Sequence, residues 1–106
     1  MEENEQLANL INKDFGDTTE GLVVVSGLPD RGAIREQLAF VIARMMEGNF
    51  ERLCQAMYRL DVSEARFNEA ISQRPVENVP FLIADLVIER EMQKVRTRMQ
   101  YKRGEL

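Results

Sequence analysis

The chain has 106 residues, a net charge of −4 and 30% charged residues, enough for one domain with a modest core. It contains no histidine and one cysteine, Cys54, which excludes histidine-based nucleophile or general-base chemistry, an internal disulfide and a zinc site of the usual ligands. The composition predicts a folded cytoplasmic protein that is not an enzyme and uses no metal or cofactor.

From the N-terminus, Met1-Glu2-Glu3-Asn4-Glu5 is acidic where an export signal is basic. Leu7, Leu10 and Ile11 follow at helical spacing and predict a short helix within residues 4–13. Phe15 to Gly21 reads as a loop, and Leu22-Val23-Val24-Val25 is the one β-like run. A single strand makes no sheet, so residues 1–28 are expected to form a partly extended arm. Its Val24 should pair with another subunit or lie over the helices. Residues 29–106 are expected to form the helical domain.

Pro29 and Asp30 open the next predicted helix, 30–47, with Ile34, Leu38, Val41, Ile42 and Met45 on one face. Phe40 and Met46 fall off that face. Gly48 is expected to stop the helix in a left-handed conformation and Asn49 to cap the next, 50–60, which turns Phe50, Leu53, Cys54 and Met57 inward. Asp61 and Glu64 match a capping box. A short helix over 63–72 follows, with Phe67 and Ile71 facing in. Arg74 to Asn78 breaks the pattern before a long helix over 79–101. This last helix is apolar on nearly every side from Phe81 to Ile88, then amphipathic through Met92, Val95 and Met99. Asp85, inside the apolar run, is expected to pair with an arginine of a neighbouring helix. The run is far too short to span a bilayer. The whole predicts an all-α bundle of about four helices with an N-terminal arm. Its core should hold Ile34, Leu38, Val41, Met45, Phe50, Leu53, Met57, Phe67, Ile71, Leu82, Leu86 and Ile88.

Charge is unevenly spread. Residues 1–30 hold seven acids against one base, and residues 90–103 hold six bases against one acid. The acidic front is expected to attract the basic tail, within one subunit or between two.

Three motifs point towards function. Gly27-Leu28-Pro29-Asp30-Arg31-Gly32 has the glycine spacing of a phosphate loop, but Ala33-Ile34 stands where lysine and serine or threonine would bind phosphate and magnesium, so a turn into a helix is the better reading. Residues 50–72 follow a helix-turn-helix pattern in Leu60, Val62, Ser63, Phe67 and Ile71. Ser63, Arg66 and Asn68 would then be the DNA contacts of a small regulator. Asp61 stands where the turn glycine is usual, however, and Glu64 and Glu69 would oppose DNA phosphates. Finally, Met46, Met92, Val95, Arg96 and Met99 form apolar and basic positions that suit contact with another protein. Because a helix from Pro80 to Tyr101 outreaches a compact domain of this size, the chain is expected to cover that end by forming a homodimer.

Met57 to Glu64 and Ala84 to Arg98 resemble short bacterial all-helical proteins. The resemblance covers about residues 31–101, implies a helical fold, and brings no activity and no functional residue with it. The expectation is therefore a non-catalytic structural, adaptor or regulatory subunit that acts through protein contacts, with nucleic-acid binding as the alternative.

Overall fold

The computed structural model describes residues 3–15, 30–102 and 104. It is all-α: α1 (Glu3–Asp14), α2 (Arg31–Gly48), α3 (Phe50–Arg59), α4 (Glu64–Ile71) and α5 (Val79–Lys102), with a 3₁₀ turn at Val76–Asn78 leading into α5. No strand occurs among the described residues. Leu22 to Val25, the expected β-like run, lies outside them.

The 24-residue α5 is the axis. At the usual rise it is about 36 Å long, close to the 42 Å longest dimension of the molecule. Helices α1, α2 and α4 all pack on it, and α3 joins α2 to α4. Its apolar first half is buried on several sides through Val79, Ile83, Ala84, Leu86, Val87 and Ile88, because α2 and α4 cover it from different directions.

The α2–α3 joint has a single residue. Gly48 is the last residue of α2 rather than a left-handed stop, and Asn49 (φ −159°) does both remaining jobs. Its N–H closes α2 on the Met45 carbonyl at 2.7 Å, and its side chain accepts from the Arg52 N–H at 3.2 Å. The α3–α4 joint also differs from the expected capping box. Ser63, not Asp61, caps α4, its Oγ accepting from the Arg66 N–H at 3.3 Å. Asp61 instead adopts a left-handed φ of 62°. The Val62 N–H bonds the Met57 carbonyl and the Asp61 N–H bonds the Tyr58 carbonyl. This is the double closure of a Schellman motif, with Asp61 where glycine is usual.

Helix α1 belongs to the core. Leu7, Ile11 and Phe15 are fully buried, and Phe15 closes the helix by donating its N–H to the Ile11 carbonyl. Its ends are tied by charge. Glu3 meets Arg31 of α2 at 3.2 Å and Arg96 of α5 at 3.9 Å, while Asp14 meets Lys94 of α5 at 3.3 Å. Lys94 and Arg96 lie two positions apart on α5, on nearly opposite sides of the helix, yet they reach opposite ends of α1. Helix α1 therefore lies across α5, and the residue between those bases, Val95, is buried beneath it.

Of the expected core, Ile34, Leu38, Val41, Met45, Leu53, Met57, Phe67, Leu86 and Ile88 are buried. Ile71 and Leu82 are partly buried at its margin. Phe50 is 40% exposed, because it begins α3 at the outer edge of the α2–α3 corner.

Candidate interaction surface on α3 and α4

The outer side of the α3–α4 hairpin carries a shallow groove of about 260 Å³, lined by Cys54, Met57, Tyr58, Val62, Glu64, Phe67 and Asn68. The Schellman turn builds it by folding Val62 back beside Met57. Phe67, at the centre of α4, forms the floor, and its ring stacks on Phe50 with centroids 6.4 Å apart. Tyr58 stands over the rim, 88% exposed. Cys54 is half-buried in the wall and makes no disulfide. A groove with an apolar floor, an exposed tyrosine and a few polar rim atoms suits a protein side chain.

A second, polar cleft of about 400 Å³ lies between the start of α4 and α5, lined by Asp61, Ser63, Arg66, Glu89, Arg90 and Gln93 among others. Its charges satisfy one another. Arg66 forks onto Glu89, with Nη1–Oε1 and Nη2–Oε2 both 2.9 Å. That contact holds the Glu89 carboxyl below its usual range and pushes Arg66 up. Arg90 faces Asp61 at 3.7 Å. On the α2 side, Arg35 binds both oxygens of Asp85, at 2.6 and 3.1 Å, and lies over the Phe81 ring. Asp85 thus has the arginine partner that its place in the apolar run implied.

The residues singled out from the sequence fall in different places. Met92 and Val95 are 3% and 1% exposed, covered by α1 of the same chain. Within the single chain these two residues therefore present almost no surface, while the same end of α5 carries the exposed Arg96. Met46 and Met99 are half-buried against the core, Arg96 is exposed, and Val24 lies outside the described residues. Ser63, Arg66 and Asn68 are all exposed on or beside α4, but Ser63 is occupied by capping and Arg66 by Glu89. The residues missed were Tyr58 and the Phe50 edge. Tyr58 falls off the apolar stripe of α3, and an aromatic ring on the polar side of an amphipathic helix was the available signal.

Among the described residues, no helix is long and apolar enough to cross a membrane, and no group of three potential metal ligands occurs. Comparison with protein-family models, with curated proteins and with solved structures finds no match to this chain.

Proposed function

We propose that this chain is a non-catalytic cytoplasmic protein that works by binding another protein, as a structural, adaptor or regulatory subunit, through the outer face of α3 and α4. The observation that carries this reading is the groove floored by Phe67, with Tyr58 88% exposed at its rim and Phe50, 40% exposed, stacked on Phe67. Apolar rings around a pocket are what a partner's anchoring side chain requires. The absence of histidine supports the non-catalytic part, and the lone cysteine fits a reducing compartment. A second copy of the chain is the first partner to test. Self-association would then use the α3–α4 face rather than Met92 and Val95. Light scattering at micromolar concentration tests it: a dimer mass that returns to monomer with Tyr58→Ser supports this face as the contact. A dimer unaffected by that substitution places the contact elsewhere.

The DNA-binding alternative gains one observation, the left-handed Asp61 that gives the turn the conformation glycine normally supplies in a helix-turn-helix. Against it stand the Glu89 clamp on Arg66 and the exposed Glu64 and Glu69 on the same short helix. An electrophoretic shift assay across salt concentrations distinguishes the readings. Steeply salt-dependent binding abolished by Arg66→Glu would favour DNA; the protein-contact reading expects no shift at physiological salt.

A further inference from the structure

We propose that α1 is a proton-operated latch, which takes up one proton as it closes over α5 and holds it on the Glu91 carboxyl within a cluster of Glu91, Asp14 and Lys94. The geometry carries the proposal. Glu91 is fully buried, the one charged residue type in the described core, and neither of its carboxyl oxygens has a hydrogen-bond partner. Lys94 Nζ is 3.3 Å from Asp14 Oδ2 and 3.6 Å from Glu91 Oε2, so it donates to Asp14 and sits just too far from Glu91 for a hydrogen bond.

Two carboxylates and one ammonium leave a net charge of −1 at the α1–α5 contact. One proton brings it to zero. An unpaired buried charge is far more costly than a buried neutral carboxyl, so the closed state retains the proton. Among the described residues, no other charge in the surroundings substitutes for it. On α1, Lys13 points to solvent and Glu3 lies at the far end with Arg31 and Arg96. On α5, Arg90 is turned to Asp61. On α2, Arg31 and Arg35 are engaged by Glu3 and Asp85, and on α4 Arg66 is engaged by Glu89.

Burial, with Asp14 as the nearest like charge, pushes the Glu91 carboxyl up to about 7 from an ordinary 4.5. A carboxyl raised in the closed state binds its proton more tightly there than when α1 is open. Closure is therefore strongest on the acid side and weakens as pH rises from about 4.5 through about 7. Opening removes α1 from the apolar stripe of Ile88, Met92 and Val95, and releases the proton to solvent. A detached helix of 12 residues is marginal in water, so opening unravels α1 and frees its amides.

Native-state amide hydrogen exchange of the full chain, corrected for intrinsic rates, reads this directly. In the wild type the opening constant of α1 should rise about five- to thirtyfold between pH 5 and pH 8. Glu91→Gln, a neutral mimic of the protonated acid, should abolish the rise and keep α1 protected at pH 8. Asp14→Asn, which leaves Lys94 to balance a charged Glu91, should reduce it. A wild-type α1 equally protected at both pH values, or a Glu91→Gln chain with the wild-type pH response, overturns the proposal. Should Glu91→Gln fail to fold, the carboxyl carbon resonance of Glu91 in the wild type serves instead: a midpoint near 7 supports the latch, and one near 4.5 overturns it.

Discussion

A carboxyl at Glu91 occupies a position where the period of α5 places an apolar side chain, between Ile88 and Val95 on the face that α1 covers. Its sequence neighbours Arg90 and Lys94 make it look like part of a solvated salt-bridged surface, which is why its burial was not legible. Helical spacing assigns a residue to a face but does not say which other helix will lie across that face. The linkage has a measurable sign. The folded chain holds the Glu91 proton more tightly than the unfolded chain, so stability declines as pH rises from about 4.5 through about 7. Asp14 and Lys94 are each about a quarter exposed and give the cluster some access to water, so the decline should be about 1–2 kcal/mol rather than the full desolvation value. Urea denaturation at pH 5 and pH 8 checks it, with Glu91→Gln lacking this contribution. Asp61 gives an independent prediction. Its left-handed φ of 62° is strained for aspartate, and its ion pair with Arg90 is long and, on the Asp61 side, 89% exposed. Asp61→Gly should therefore stabilise the chain by about 0.5–1 kcal/mol, seen as a higher urea midpoint at unchanged slope.

The helices themselves were largely legible, because α2, α3 and α5 carry their apolar residues at unmistakable spacing and because Asp30, Asn49 and Ser63 are good caps. The joints were less so. Whether Asp61 or Ser63 caps α4 depends on which of them takes the left-handed position, and both residues are acceptable caps on composition alone. Helix α1 was visible as Leu7, Leu10 and Ile11, but its role was not. The sequence clue was electrostatic: an acidic front and a basic tail. Glu3 and Asp14 do meet Arg96 and Lys94, within one chain. This arrangement makes α1 a structural element rather than an appendage. Ile11→Ala, at a fully buried site between α1 and α5, should cost about 2–4 kcal/mol. Thermal or urea unfolding measures that loss; a change below about 0.5 kcal/mol, the usual range for surface substitutions, would mean that α1 does not share the core.

At the scale of the whole molecule, much of the charge on α4 and α5 is used to hold the fold together. Arg66, Lys94 and Arg96 each contact an acid on another helix, and Arg90 contacts Asp61 of the α3–α4 joint, so part of the basic tail read from the sequence works inside the molecule. What the α3–α4 hairpin leaves open is apolar: the groove beside Phe50 and Tyr58. Sequence periodicity could not find this groove, since it arises from the Schellman turn that brings Val62 beside Met57 and from Phe50 lying at a corner instead of in the core. The candidate site is thus a product of the joints, the part of the fold that periodicity describes least. The most direct test places a photo-crosslinking amino acid at Tyr58 in the full chain expressed in its native host, with Gln100, exposed at the far end of α5, as the control position. A discrete protein adduct from position 58 and none from position 100, whether with a second copy or with another protein, is the predicted result. No adduct at position 58, or the same products from both positions, would contradict the α3–α4 face as the working surface of this protein.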